Sequence, residues 1–120
     1  MLRFFSIASL AFGALAPLSA EAAASCGTAS FYGGHGDGFA WRTMANGQPM
    51  NPSALTTAHP SLPLGSRVLV RNSVNGKSVK VTVTDRGPFY GGRIIDLSYG
   101  AFGRIANPEQ GLARVCVSRV

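Results

Sequence analysis

Two valine-rich runs flank one Asn-Gly pair, and this arrangement constrains the fold more than any other feature. Val68 and Val70 alternate with Leu69 and Arg71, while Val79, Val81 and Val83 alternate with Lys80, Thr82 and Thr84. A period of two puts the valines on one face of a strand and the wetter residues on the other. Asn75-Gly76 lies between the runs. That pair is favoured where both central residues of a tight hairpin turn take positive φ. The expectation is an antiparallel hairpin with one face in the core.

The rest of the chain reads as further short strands with turn punctuation. Gly27 to Tyr32 has strand character, and Arg93-Ile94-Ile95 reads as a short strand. From Gly111 to Val120, Leu112, Arg114, Cys116 and Ser118 alternate against Ala113, Val115, Val117 and Arg119, which predicts a closing strand. Ser98 is placed to cap a short helix running through Ile105, against the helix-weakening Gly100 and Gly103. Gly33, Gly34, Gly36 and Gly38, interleaved with His35 and Asp37, exclude a helix or central strand there and predict a flexible surface loop. Many short strands suggest a small β-barrel, whose closure leaves no exposed edge.

The N-terminus carries the three-part pattern of an export signal. Arg3 gives a positive start, Phe4 to Leu18 is an apolar run, and Ala22-Ala23-Ala24 offers small-residue cleavage sites. The run is too short for a membrane span, and no later segment is apolar enough for one. We expect cleavage after Ala24, with Ala22 as the alternative, and one domain over residues 25–120 in the periplasm or outside the cell.

The whole sequence has 11 Lys and Arg against 5 Asp and Glu, a net charge of +6, and removal of Arg3 with Glu21 leaves that charge unchanged. A basic exported domain suits an anionic surface, although the charge can equally serve solubility. The basic residues are spread from Arg42 to Arg119 without a Lys/Arg-rich run, so nucleic acid is not the expected partner. Cys26 and Cys116 open and close the mature chain. In an oxidising compartment they are expected to pair, which would tie the first segment to the last. The rival is lipidation of Cys26, for which Ala23-Ala24-Ser25 is a poor preceding sequence. Two Cys and two His at unrelated positions predict no metal site.

Acid groups are scarce, and that narrows the chemistry. Beyond the leader there are four: Asp37, Asp85, Asp96 and Glu109. Asp37 and Glu109 fall in loop or turn and read as solvated. Asp85 ends a Val-rich strand and Asp96 ends the Ile94-Ile95 strand. Acids at apolar strand ends are either structural partners, here through Arg86 or Arg93, or placed catalysts. We expect the two carboxylates to come from neighbouring strands and to meet in one groove. A lone histidine such as His59 is commonly structural, and nothing supports a Ser-His-Asp or Cys-His constellation. Tyr32, Trp41, Phe89 and Tyr90 are candidates for stacking on sugar faces.

Several segments occur in an order that resembles one family: Ala29-Ser30-Phe31-Tyr32-Gly33, Ala45-Asn46-Gly47, Ala54-Leu55-Thr56-Thr57-Ala58-His59, Leu62-Pro63-Leu64-Gly65, Asn75-Gly76-Lys77-Ser78-Val79, Asp85-Arg86-Gly87-Pro88-Phe89 and Arg93-Ile94-Ile95-Asp96-Leu97-Ser98. The mature chain resembles the rare lipoprotein A (RlpA) family of endolytic peptidoglycan lytic transglycosylases. The resemblance implies an all-β, six-stranded double-psi β-barrel with one or two short helices, similar to the first domain of expansins. It implies cleavage of the MurNAc–GlcNAc bond of peptide-poor glycan strands to 1,6-anhydro ends, without metal or organic cofactor. The expected partner is the glycan strand, the expected state a monomer. The larger members add a peptidoglycan-binding SPOR domain, which is not expected in a chain whose last residue is Val120.

Site residues carry over position by position. Asp96 is implied as general acid/base, Asp85 as its electrostatic partner or the alternative acid, and His59 as a residue that orients a carboxylate or binds sugar. Gln48 and Asn51 stand where the family usually has Glu and Asp. An amide hydrogen-bonds sugar but donates no catalytic proton at neutral pH, so Gln48 and Asn51 join Tyr32, Asn46, Arg86 and Phe89 as expected substrate contacts. The same replacement motivates the alternative expectation of a non-catalytic, expansin-like polysaccharide-binding module.

Overall fold

The structure is a computed structural model that describes residues 24–120. The export leader expected over residues 1–24 lies outside the described residues except for Ala24. No helix among the described residues is long and apolar enough to cross a membrane.

Six strands close into a barrel: β1 (Ser25–Tyr32), β2 (Thr56–Ala58), β3 (Arg67–Asn72), β4 (Ser78–Asp85), β5 (Arg93–Ser98) and β6 (Ala113–Arg119). Their order around the barrel is β1-β5-β2-β4-β3-β6. β1 runs parallel to β5 and β2 parallel to β4, while the other four pairings are antiparallel. The expected all-β barrel is therefore present. Among the described residues it carries one short helix, α1 (Tyr99–Ile105), and a single 3-10 turn at Pro108–Gln110. Ser98 caps α1 as expected, its hydroxyl accepting from the Ala101 amide at 3.1 Å.

The valines fill the interior: Val68, Val70, Val79, Val81 and Val83 are buried, alongside Ile95, Leu97, Phe102, Ile105 and Val115. Alternation thus predicted the inward face of β3, β4 and β6 correctly. The turn between β3 and β4 differs from the expectation. Gly76 has φ +80° but Asn75 does not have positive φ, and residues 73–77 form a five-residue loop. Asn72 organises it instead: its side-chain oxygen accepts from the Val74 and Asn75 amides, and its Nδ2 reaches the Ile105 carbonyl at 2.8 Å. A buried asparagine that ties a loop to the end of a helix outweighs the local preference of Asn-Gly for a tight turn.

Cys26 and Cys116 are direct cross-strand partners of β1 and β6 and are joined by a disulfide, as expected. The bond uses both sulfurs, so Cys26 has no thiol left for a lipid. It fastens the first strand of the barrel to the last.

Candidate active site

The site is built on one row of residues running across four strands. Ser30 on β1 pairs with Asp96 on β5, Asp96 pairs with Ala58 on β2, and Ala58 pairs with Asp85 on β4. The two acids therefore flank β2 and are not on adjacent strands, which corrects the expectation from sequence. Two interstrand steps set their backbones roughly 10 Å apart. Asp96 also lies inside β5 and does not end it, because the strand continues to Ser98. Ser30 and Tyr32 sit two residues apart on β1, hence on one face. Each contacts a different acid, so both carboxylates belong to that face.

The surroundings of the two acids differ. Asp96 Oδ1 accepts from the Ser30 hydroxyl and forms an ion pair with Arg93 Nη1 at 3.4 Å. The same guanidinium donates to Ser30 Oγ at 2.7 Å, which closes a three-member cluster. Oδ2 of Asp96 has no hydrogen-bond partner among the described residues, and the side chain keeps 17% of its surface exposed. One oxygen is held by Ser30 and Arg93, and the other is left for a partner from outside the described residues.

Asp85 is held on both oxygens. Oδ1 accepts from the backbone amides of Ala45 and Arg86, each at 2.9 Å, and Oδ2 accepts from the Tyr32 hydroxyl at 3.1 Å. The Arg86 side chain turns away, donating to the carbonyls of His59 (3.1 Å) and Leu62 (2.6 Å). Of the two ion pairs considered from sequence, only Arg93–Asp96 forms among the described residues. Burial, reinforced by the Asp85 charge and its hydrogen bond, pushes the Tyr32 phenol far above its ordinary value, so it stays a donor to Asp85.

Asp85 also anchors a flap. In residues 41–50 the chain folds back on itself: Trp41 N donates to Met50 O, Met50 N to Arg42 O and Met44 N to Gln48 O. The flap tip meets the end of β4 through Ala45 N on Asp85 and Asn46 N on the Thr84 carbonyl. Between flap and barrel opens a cleft of about 230 Å³, lined by Phe39, Arg42, Thr43, Met44 and Met50 together with Tyr32, Asp85 and Arg86. Asp96 is not part of that lining, so of the two carboxylates expected in one groove this cleft holds Asp85 alone. A larger hollow of about 320 Å³ opens elsewhere, next to Thr28, Asn72 and Leu112, but no carboxylate lines it.

The other expected residues fall as follows. The His59 ring nitrogen Nδ1 accepts from the Ser61 and Leu62 amides, and its backbone amide donates to the Asp85 carbonyl. Burial and the Arg86 charge hold the imidazole below its usual value, hence neutral. No carboxylate is among the ring's hydrogen-bond partners. Gln48 and Asn51 are exposed at the flap and just beyond it. Asn46 and Asn51 each use the side-chain oxygen to accept a local amide, from Gln48 and Ser53. Phe89 is exposed beyond β4.

Sequence reasoning missed the role of Ser30, which holds Asp96 and stands in the sequence only as a member of the Ala29–Gly33 segment. Asp37 is exposed, as expected, and its carboxylate accepts from the amides of Gly33, Gly34 and Phe39, which shapes the glycine-rich loop. Among the described residues no cluster of His, Cys, Asp and Glu could hold a metal ion.

Comparisons with known proteins agree with this architecture. The family model described as lytic transglycolase matches residues 24–117. Over 89 residues the chain is 51% identical to the endolytic peptidoglycan transglycosylase RlpA of Rickettsia prowazekii, covering 74% of this chain and 28% of that protein. The chain spans about a quarter of the length of the curated relatives matched first. Among solved structures, Streptomyces papain inhibitor aligns with a TM-score of 0.62 at 26% identity, over 81% of this chain and 94% of that one. A Clavibacter michiganensis expansin bound to cellohexaose also aligns with a TM-score of 0.62, at 20% identity, over 81% and 50% of the two chains. A six-stranded double-psi barrel that the model matches almost from end to end of the described residues places this chain in the lytic transglycolase family, alongside the RlpA proteins.

Proposed function

We propose that this chain is an endolytic lytic transglycosylase that acts outside the cytoplasm and cuts the MurNAc–GlcNAc bond of peptide-poor glycan strands. The observation that carries the reading is the asymmetry of Asp96, with Oδ1 held by Ser30 and Arg93 and Oδ2 open. Family membership supplies the substrate class.

In this mechanism Asp96 delivers a proton from Oδ2 to the glycosidic oxygen. The bond from the anomeric carbon to that oxygen breaks, and the leaving sugar departs with the proton. The C6 hydroxyl of the remaining sugar attacks the anomeric carbon and returns its own proton to Asp96. No water is consumed and no nucleophilic carboxylate is required, unlike the two-carboxylate scheme of ordinary glycosidases. Arg93 stabilises the Asp96 carboxylate between the two transfers. The charge of Asp85 favours the positive sugar ring of the transition state. The His59 ring holds the Ser61 and Leu62 amides and touches neither carboxylate, so its role in this reading is to shape the loop beside β4. Asn46, Gln48 and Asn51 offer amide N–H groups to sugar hydroxyls, and Phe89 offers an apolar face.

Mass spectrometry of peptide-free glycan strands incubated with the mature protein tests the reading. Anhydro-ended fragments are expected, with Asp96→Asn abolishing them and Asp85→Asn reducing them. Retention of strands without fragments, at high protein concentration, favours instead a glycan-binding module, a reading that the exposed amides Gln48 and Asn51 support.

A further inference from the structure

The flap contains a residue in a backbone conformation that its side chain disfavours. Trp41 has φ +70°, and it is the one non-glycine among the described residues with positive φ. For a bulky L-residue this conformation is a true outlier, and such strain gathers at ligand clamps and active sites. The flap imposes it: the Trp41 amide is committed to the Met50 carbonyl at 2.6 Å, and the Met50 amide to the Arg42 carbonyl at 2.8 Å. Such a conformation persists where the surrounding structure over-determines it. Trp41 is 64% exposed, so packing of its side chain does not explain it.

Position supplies the second observation. Phe39 and Arg42, on either side of Trp41 in sequence, both line the cleft, and the Arg42 guanidinium stacks over the Phe39 ring at 5.6 Å from its centroid. Trp41 itself is not in the lining, but it lies next to Arg42 in the chain and its amide is bonded to the carbonyl of Met50, both of which are, so its backbone borders the cleft. The cleft measures about 230 Å³, below the roughly 300–1,000 Å³ of typical ligand pockets. A polymer seated there must continue across the rim.

We propose that Trp41 is a sugar-stacking platform that extends the cleft by one subsite and sets a preference for long glycan strands over short ones. This rests on the glycan reading above. The apolar C–H face of a pyranose ring matches the face of an indole, and a rigid aromatic loses little conformational freedom on contact.

Because the chain contains a single tryptophan, its emission reports on this residue alone. The test is run in the Asp96→Asn background, so that strands stay intact. Peptide-free GlcNAc–MurNAc oligomers of two and of six sugars are titrated, with fluorescence and calorimetry in parallel. The six-sugar oligomer is expected to change the emission saturably and to bind more tightly than the two-sugar one. Trp41→Gly, which suits the positive φ, is expected to melt at or above the parent temperature. It should bind the longer oligomer about tenfold more weakly, a loss in the range for truncating one of the few interface residues that matter, and should no longer distinguish the two lengths. Trp41→Phe should keep most of the discrimination. Calorimetric binding without any change in emission overturns the proposal, as does a Trp41→Gly variant that still prefers the longer oligomer. Those two results leave the transglycosylase reading intact. Neither binding nor cleavage by the parent protein overturns both.

Discussion

Replacing Asp85 by Ala and by Asn should give very different proteins. The Ala variant removes the acceptor of three donors: Tyr32 OH at 3.1 Å, Ala45 N and Arg86 N at 2.9 Å. Ala45 is exposed, so water replaces that partner. Tyr32 is 8% exposed and keeps only the weak acceptor Met44 Sδ at 3.7 Å, and Arg86 is half-buried, so both donors lose their oxygen partner. Each costs about 1–2 kcal/mol, for a loss near 3 kcal/mol. In a domain of this size that lowers Tm by roughly 15 °C. The Asn variant can place its amide oxygen where Oδ1 accepts both backbone amides, and turn its NH₂ toward the Tyr32 oxygen, which can accept. Its cost should stay within about 1 kcal/mol. Urea and thermal melts give the energies, and amide exchange at Ala45 and Asn46 reports whether the flap still docks. The Ala variant should expose both amides and the Asn variant neither. Equal destabilisation by the two substitutions would refute the argument, since it would mean that the charge of Asp85, not its hydrogen-bonding shape, holds the flap.

The neutral His59 ring predicts acid sensitivity. Its folded value lies below the unfolded one near 6.5, so the unfolded chain binds the proton more readily. The stability it contributes is present above pH 6.5 and is lost as pH falls through the folded value. His59→Asn can still accept the Ser61 and Leu62 amides but does not titrate there, so urea melts between pH 7.5 and pH 5 should show a shallower fall than wild type. Replacing Cys26 and Cys116 together by Ser opens a loop of 90 residues and should cost about 4–5 kcal/mol by chain entropy; a loss under about 1 kcal/mol in denaturant melts would contradict that account.

Much of the barrel was legible because its strands obey a period of two. Alternation in β3, β4 and β6 identified the inward residues, and Ser98 announced the start of α1 by its own chemistry. What escaped was non-local. Asn-Gly signalled a tight turn, but the partner that decided the loop is the Ile105 carbonyl, 33 residues from Asn72. β2 is only three residues long, Thr56–Ala58, too short for any periodic signal, yet it separates the strands of Asp85 and Asp96. The two acids were found from their position beside apolar runs and from the family resemblance. Their unequal environments depend on Ser30, Tyr32 and a flap 40 residues from Asp85, and no local pattern in the sequence reports those contacts.

The strand order has a consequence for when the site comes into being. Ser30, Ala58, Asp85 and Asp96 enter the row from four separate stretches of chain, and two of the three joints between them are parallel pairings. A fragment holding one hairpin retains at most one member. The row therefore waits on three long-range pairings, β1 with β5, β5 with β2 and β2 with β4, and β6 takes no part in it. Loss of any one of the three would scatter its members, whereas fraying of β6 would leave the row in register.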